Sequence, residues 1–201
     1  MNIKNIIREE IQNYLNDNFW QWFGNSKVRN TDGSPLKVYH GTRKDFSEFK
    51  GDLMYFSATP EYASEFSSSP ELDKGGISPA VLPVYLKITN PLDLRELETE
   101  TNSDEEFLSV LFDKEVDVGE DDIRFETDRF LPAWSWIIEN YQTLVPAIKA
   151  SGYDGIIMYE SHNTRGSSLR DLVYVVFDAN QIKSATGNNG EFSSAPDITR
   201  E

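Results

Sequence analysis

The amino-acid sequence predicts an α+β domain preceded by an N-terminal helix. Three observations lead there. Apolar stretches of strand length recur at Leu36–His40, Asp52–Ser57, Val81–Ile88, Tyr153–Tyr159 and Leu172–Phe177. A few helical patterns are set apart from them, so helices and strands do not alternate one for one. The 201 residues, 38% hydrophobic and 12% aromatic, suffice for one packed core.

Each element has a local cause. Residues 2–16 place Ile3, Ile6, Ile7, Ile11, Tyr14 and Leu15 on one face of a helix. Asn18 to Asn30 reads as an aromatic-rich connector, with Trp20, Trp22 and Phe23 plugging the helix against the core. Residues 30–35 have turn chemistry, and the strand Leu36–His40 ends at Gly41. A second strand, Asp52–Ser57, leads into Thr59-Pro60-Glu61, which starts a helix with a cap, a first-turn proline and an acid at the positive end. That helix carries Tyr62, Ala63 and Phe66 and stops near Pro70; Asp73 to Ser78 is a glycine-containing loop. Val81–Ile88 is a strand in which Pro83 suggests an edge or an irregular start. A short helix is expected near Asp104–Phe112, and a longer one from Pro132 to Ala150, closed by Gly152. The strand Tyr153–Tyr159, a polar loop over 160–168, the strand Leu172–Phe177, a turn and a last short strand complete the domain. The expected division is a helix over 1–18 and one domain over 19–201.

Composition excludes several functions. The absence of cysteine rules out disulfides, thiolate catalysis and cysteine-held zinc. Two histidines, His40 and His162, argue against a multi-histidine metal site, and no metal is expected. No apolar run approaches the roughly 18 residues of a membrane span, and the N-terminus lacks a signal-peptide core. A cytoplasmic protein without a membrane partner is expected. Of the net charge of −15, the segment Glu96–Asp128 carries −12 (fourteen acids, with Lys114 and Arg124), which leaves −3 for the remainder. An anionic ligand is therefore tolerated outside that segment. The segment reads as a solvated insertion or as a docking surface for a basic partner.

Three local patterns bear on chemistry. Tyr39-His40-Gly41-Thr42 sets a histidine at the mouth of a sheet, beside a glycine that permits close approach to the backbone. In Met54 to Phe66, a strand ends in aromatics and a helix returns with another, so that Tyr55 and Phe66 can form two faces of a slot for a flat ring. The strand from Asp171 to Phe177 runs into a turn over 178–181.

With Trp22–Val28, Tyr55-Phe56-Ser57, Gly152–Ile157, Val176-Phe177-Asp178 and Gln181–Asn188 in this order, the chain resembles the ADP-ribosyltransferase superfamily from about residue 19 to 198, the acidic insertion excepted. The likeness is to the branch of diphtheria toxin and the poly(ADP-ribose) polymerases, with its His–Tyr–Glu triad, and is closest to transferase domains of phage-encoded and polyvalent proteins. The resemblance implies two small packed, antiparallel-rich sheets forming an NAD cleft with flanking helices. It implies NAD as substrate and no metal. It implies that His40 bonds the adenosine ribose, that Gly41 holds the nicotinamide carboxamide through its backbone, and that Tyr55 and Phe66 sandwich the nicotinamide ring. Thr42, Phe56 and Ser57 belong to the same motifs, and Arg43 is placed near the diphosphate by charge and proximity.

One departure stands out. Val173 occupies the position of the family's catalytic glutamate. Asp171, two residues earlier on the same strand face, or Glu160, at the end of the preceding strand, is the substitute; otherwise the site binds NAD but turns it over poorly. The leading expectation is mono-ADP-ribosyl transfer to a macromolecular acceptor, a protein in the first instance, by a phage or bacterial effector. The alternatives are an NAD- or ADP-ribose-binding or virion-associated protein, and an NAD glycohydrolase.

Overall fold

The computed structural model describes residues 16–68, 78–97, 102–119, 130–164, 167–188, 190–192 and 195–197. The amphipathic stretch 2–15, most of the glycine-containing loop and the end of the tail lie outside them, as do the side chains of 162–169, His162 included.

The aromatic connector is in fact a helix, α1 (Asp17–Phe23). The Asn16 side chain caps it by accepting from the Phe19 N–H at 3.0 Å. Phe19, Trp22 and Phe23 have helical i, i+3, i+4 spacing, and all are buried with Tyr85 and Phe192 in one aromatic cluster.

The strands are β1 (Val38–Thr42), β2 (Met54–Ser57), β3 (Ala80–Leu86), β4 (Pro91–Asp93), β5 (Asn102–Ser103), β6 (Phe130–Leu131), β7 (Gly155–Thr164), β8 (Ser167–Val176) and β9 (Ile182–Ser184). Seven form one open sheet in the order β4-β7-β8-β2-β1-β3-β9, antiparallel except for β4 against β7, while β5 and β6 pair separately. The fold is α+β, as expected. The large sheet divides into halves, β4-β7-β8-β2 and β1-β3-β9, joined by one register pair, Tyr39↔Ser57.

Both faces of the sheet are covered, so β8 reads as a continuous apolar run. By the two-residue period, Val173 and Val175 join Ile156, Met158, Leu92 and Trp136 in one core, while Tyr174 and Val176 join Ile157, Phe56, Val38 and Val84 in the other. Helix α2 (Pro60–Ser68) crosses β1, β2 and β3. Helix α3 (Asp104–Asp113) lies in the acidic segment. The described part of the segment is not solvated on all sides. A capping box of Ser103 and Glu106 starts it, and Phe107, Leu111, Val116 and Val118 are buried in the first core.

The long helix expected over 132–150 is two, α4 (Ala133–Glu139) and α5 (Tyr141–Ala150). Asn140 ends one and begins the other, with its buried side chain donating to the Trp136 carbonyl at 3.2 Å. The polar loop over 160–168 is the distal part of a hairpin, in which Glu160↔Asp171 through Thr164↔Ser167 remain paired. Pro83 does not mark an edge strand, because β3 lies between β1 and β9; it sits one residue beyond the last β9 pairing. Gln181 ties the end of the sheet together: its Nε2 donates to the carbonyls of Lys87 and Asp154, and its Oε1 accepts from the Phe177 and Asp178 N–H groups. Among the described residues, no helix is long and apolar enough to cross a membrane.

Candidate active site

The site begins where the sheet is weakest. Beyond Tyr39↔Ser57, β1 and β2 share no further register pair. The His40 side chain spans the opening instead, with Nδ1 2.9 Å from the Tyr55 carbonyl oxygen. A carbonyl only accepts, so Nδ1 carries a proton; in the neutral form of the ring Nε2 is then the acceptor. The rings of Phe49 at 4.8 Å, Phe56 at 5.5 Å and Phe46 at 6.2 Å surround the imidazole.

A cavity of about 780 Å³ opens from this point. His40, Gly41, Thr42, Tyr55, Phe56, Ser57 and Phe66 all line it. Phe56 is buried behind His40, and Ser57 donates to the carbonyls of Tyr39 and Thr59 at 3.3 and 2.8 Å, so these two shape the wall more than they face a ligand. Thr42 is also buried, its hydroxyl accepting from the Lys44 N–H. Gly41 has a packing reason besides the expected one. A Cβ there would lie 1.8 Å from the Ala63 carbonyl oxygen, so the glycine is needed where α2 presses on β1. Arg43 does not line the cavity: its guanidinium donates to the Ser67 carbonyl at the end of α2, at 3.1 Å. Lys44 and Lys50 are the cations that do.

The two candidate carboxylates are a cross-strand pair, Glu160↔Asp171, on the face that also holds Met158 and Val173. Their surroundings differ. Asp171 accepts from the N–H and hydroxyl of Thr59, both at 2.8 Å, and from the Leu172 N–H at 2.9 Å. Thr59 in turn caps α2 through the Tyr62 N–H. Asp171 thus anchors the positive end of that helix and does not line the cavity. Replacing it with alanine is expected to lower stability by about 2 kcal/mol, through the lost cap and the stranded Thr59 N–H. Denaturant unfolding checks this; a change below about 0.5 kcal/mol would remove the anchoring role.

Glu160 does line the cavity, and it is 8% exposed. Burial pushes its carboxyl up to about 7, the Tyr62 hydroxyl beside it draws it down, and the Asp171 charge adds to the rise. Among the described residues, Tyr55 Oη and Trp134 Nε1 are buried side-chain polar atoms without a hydrogen-bond partner, and the buried Tyr62 hydroxyl has only the Glu160 carboxyl beside it, short of a regular hydrogen bond. All three residues line this same cavity. Burial, reinforced by Glu160, holds both phenols far above the usual tyrosine range, so both remain donors. Val173 forms part of the wall as a buried apolar surface.

The family model described as "ADP-Ribosyltransferase in polyvalent proteins" matches residues 30–192. The chain belongs to this family. No curated protein and no solved structure matches it.

Within this domain of the ADP-ribosyltransferase family, the motif residues divide into two groups. His40, Tyr55, Phe66 and Glu160 border the cleft, while Asp171, Arg43 and Gln181 hold the elements that shape it. The sequence analysis missed Tyr62, Trp134, Phe46 and Phe49. Tyr62 and Trp134 sit at helical positions where aromatics ordinarily pack into a core. Only their place on the cavity wall separates them from such residues, and no sequence pattern carries that signal.

Proposed function

We propose that the protein transfers the ADP-ribosyl group of NAD⁺ to a macromolecular acceptor, a protein side chain, one unit at a time, with release of nicotinamide. The observation that carries this reading is the convergence of two partnerless buried donors, Tyr55 and Trp134, and the buried Tyr62–Glu160 pair on the cavity bordered by His40. A buried donor without an acceptor is costly. A dinucleotide, dense in hydroxyl, carbonyl and phosphate oxygens, supplies acceptors, and about 780 Å³ lies within the usual span of ligand pockets.

The roles of His40, Gly41, Tyr55 and Phe66 are those that the family resemblance implies. Nε2 of His40 accepts from the adenosine ribose, the Gly41 backbone takes the carboxamide, and Tyr55 and Phe66 bound the flat ring. Lys44 and Lys50 supply positive charge for the diphosphate. The nicotinamide–ribose bond breaks with its electron pair leaving on nicotinamide. Positive charge develops on the ribose carbon, where the acceptor then bonds and gives up a proton. Glu160, when ionised, is the fixed anion that favours that charge, in place of the glutamate that Val173 replaces. A basic acceptor surface suits the acidic segment around α3. The setting we propose is that of a phage or bacterial effector acting in the host cytoplasm.

The test is incubation of the purified protein with NAD⁺ labelled in the adenylate moiety. Nicotinamide release with label on protein supports transfer. Free ADP-ribose as the sole product makes the protein a glycohydrolase, and NAD⁺ binding without release makes it a binding module. His40→Ala and Tyr55→Ala are each expected to weaken NAD⁺ binding about tenfold, the worth of one hydrogen bond or ring contact. Unchanged affinity in both folded variants would remove NAD⁺ from this cleft.

A further inference from the structure

Lys183 on β9 has no exposed surface. A buried ammonium needs matched acceptors, and burial draws its pKa down. Its Nζ donates to two main-chain carbonyls of the C-terminal segment, Ala195 at 2.5 Å and Asp197 at 3.0 Å. Asp197 also forms an antiparallel bridge with Glu48. Glu48 lies in the 44–50 wall of the cavity, and its neighbour Phe49, 5% exposed, meets the His40 ring edge-on at 4.8 Å. The segment is fixed upstream as well. The Gly190 carbonyl accepts from the side chains of Asn16 and Asn18, and the Phe192 ring lies 5.0 Å from that of Phe19. Residues 190–192 and 195–197 therefore link α1 to the wall behind His40.

We propose that this C-terminal strap is a positioning element for the cleft, in which Lys183 fixes Ala195 and Asp197, and the Glu48 bridge carries their placement to Phe49 and His40. Lys183 and the strap touch neither substrate nor reacting atoms. They set where the histidine wall stands relative to Tyr55. The mechanical part stands apart from the NAD⁺ reading; the affinity part rests on it.

Two variants test the strap. Lys183→Met keeps the aliphatic stem and removes the ammonium. A chain ending at Ser194 removes Ala195 and Asp197 and leaves Lys183 in place. Hydrogen exchange at amides 44–50 reads the wall, with amides 173–176 of β8 as the internal reference. In both variants exchange at 44–50 is expected to accelerate about tenfold, with β8 unchanged, as for a local opening. The His40 ring NMR signals shift, and NAD⁺ binds about tenfold more weakly. Unchanged exchange at 44–50 in the folded shortened chain overturns the proposal. So does an equal loss of protection across β8, which signals global destabilisation. If the unaltered chain binds no NAD⁺, the functional reading fails, and the exchange result still decides the strap. Should Lys183→Met fail to fold, the shortened chain decides alone.

Discussion

Glu160→Gln is expected to remove turnover and to raise thermal stability at alkaline pH. The catalytic loss follows from deleting the one carboxylate that lines the cavity from β7. Removal of a preorganised charge-stabilising group lowers kcat by about 10²–10³-fold, with NAD⁺ affinity little changed. The gain in stability follows from the same burial. The carboxyl titrates near 4.5 in the unfolded chain and at about 7 in the fold. The folded state therefore binds the extra proton between those values. Glu160 favours folding below pH 4.5, and that contribution is lost as pH rises through 7. Above pH 7 the ionised side chain disfavours the fold by about 3 kcal/mol, a penalty that glutamine does not carry. Thermal unfolding at pH 8.5 should show the variant melting roughly 6–12 °C higher, with the gap closing towards pH 4.5. Wild-type turnover should climb with pH through about 7, since the ionised form acts. A variant with full activity, or one melting lower at pH 8.5, would take the charge-stabilising role away from this residue.

Gly41→Ala is expected to be the most disruptive single-methyl change. The added Cβ meets the Ala63 carbonyl oxygen at 1.8 Å and the Ala63 carbonyl carbon at 2.8 Å. Both are backbone atoms, so no rotamer change relieves the clash, and α2 must move away from β1. Overpacking of a rigid site costs about 3 kcal/mol or more. That lowers the Tm of a domain this size by roughly 6–12 °C. Because α2 carries Tyr62 and Phe66, NAD⁺ affinity should fall together with stability. A variant within about 0.5 kcal/mol of wild type in denaturant unfolding would show that the helix yields easily at this contact.

How much of this was legible in the sequence depended on whether a signal is local. His40, Tyr55 and Phe66 were readable because each ends or follows a strand within one short motif. The early strands and α2 were readable because their caps and apolar alternation are written in adjacent residues. The choice between Asp171 and Glu160 was not, since it turns on hydrogen bonds from Thr59, 112 positions away. The break at Asn140 was hidden because apolar spacing continues on both sides of it. The outer hairpin was hidden because Ser161–Ser168 is polar throughout and lacks alternation. The contacts of Lys183 with Ala195 and Asp197 were hidden because they rest on a burial that only the fold creates.

The lone Tyr39↔Ser57 rung gives the domain a built-in line of weakness. A molecule lying across it and gripping both banks would act as a missing crosspiece, so occupancy and rigidity rise together. On the function proposed above, the substrate would also serve as a temporary piece of the scaffold.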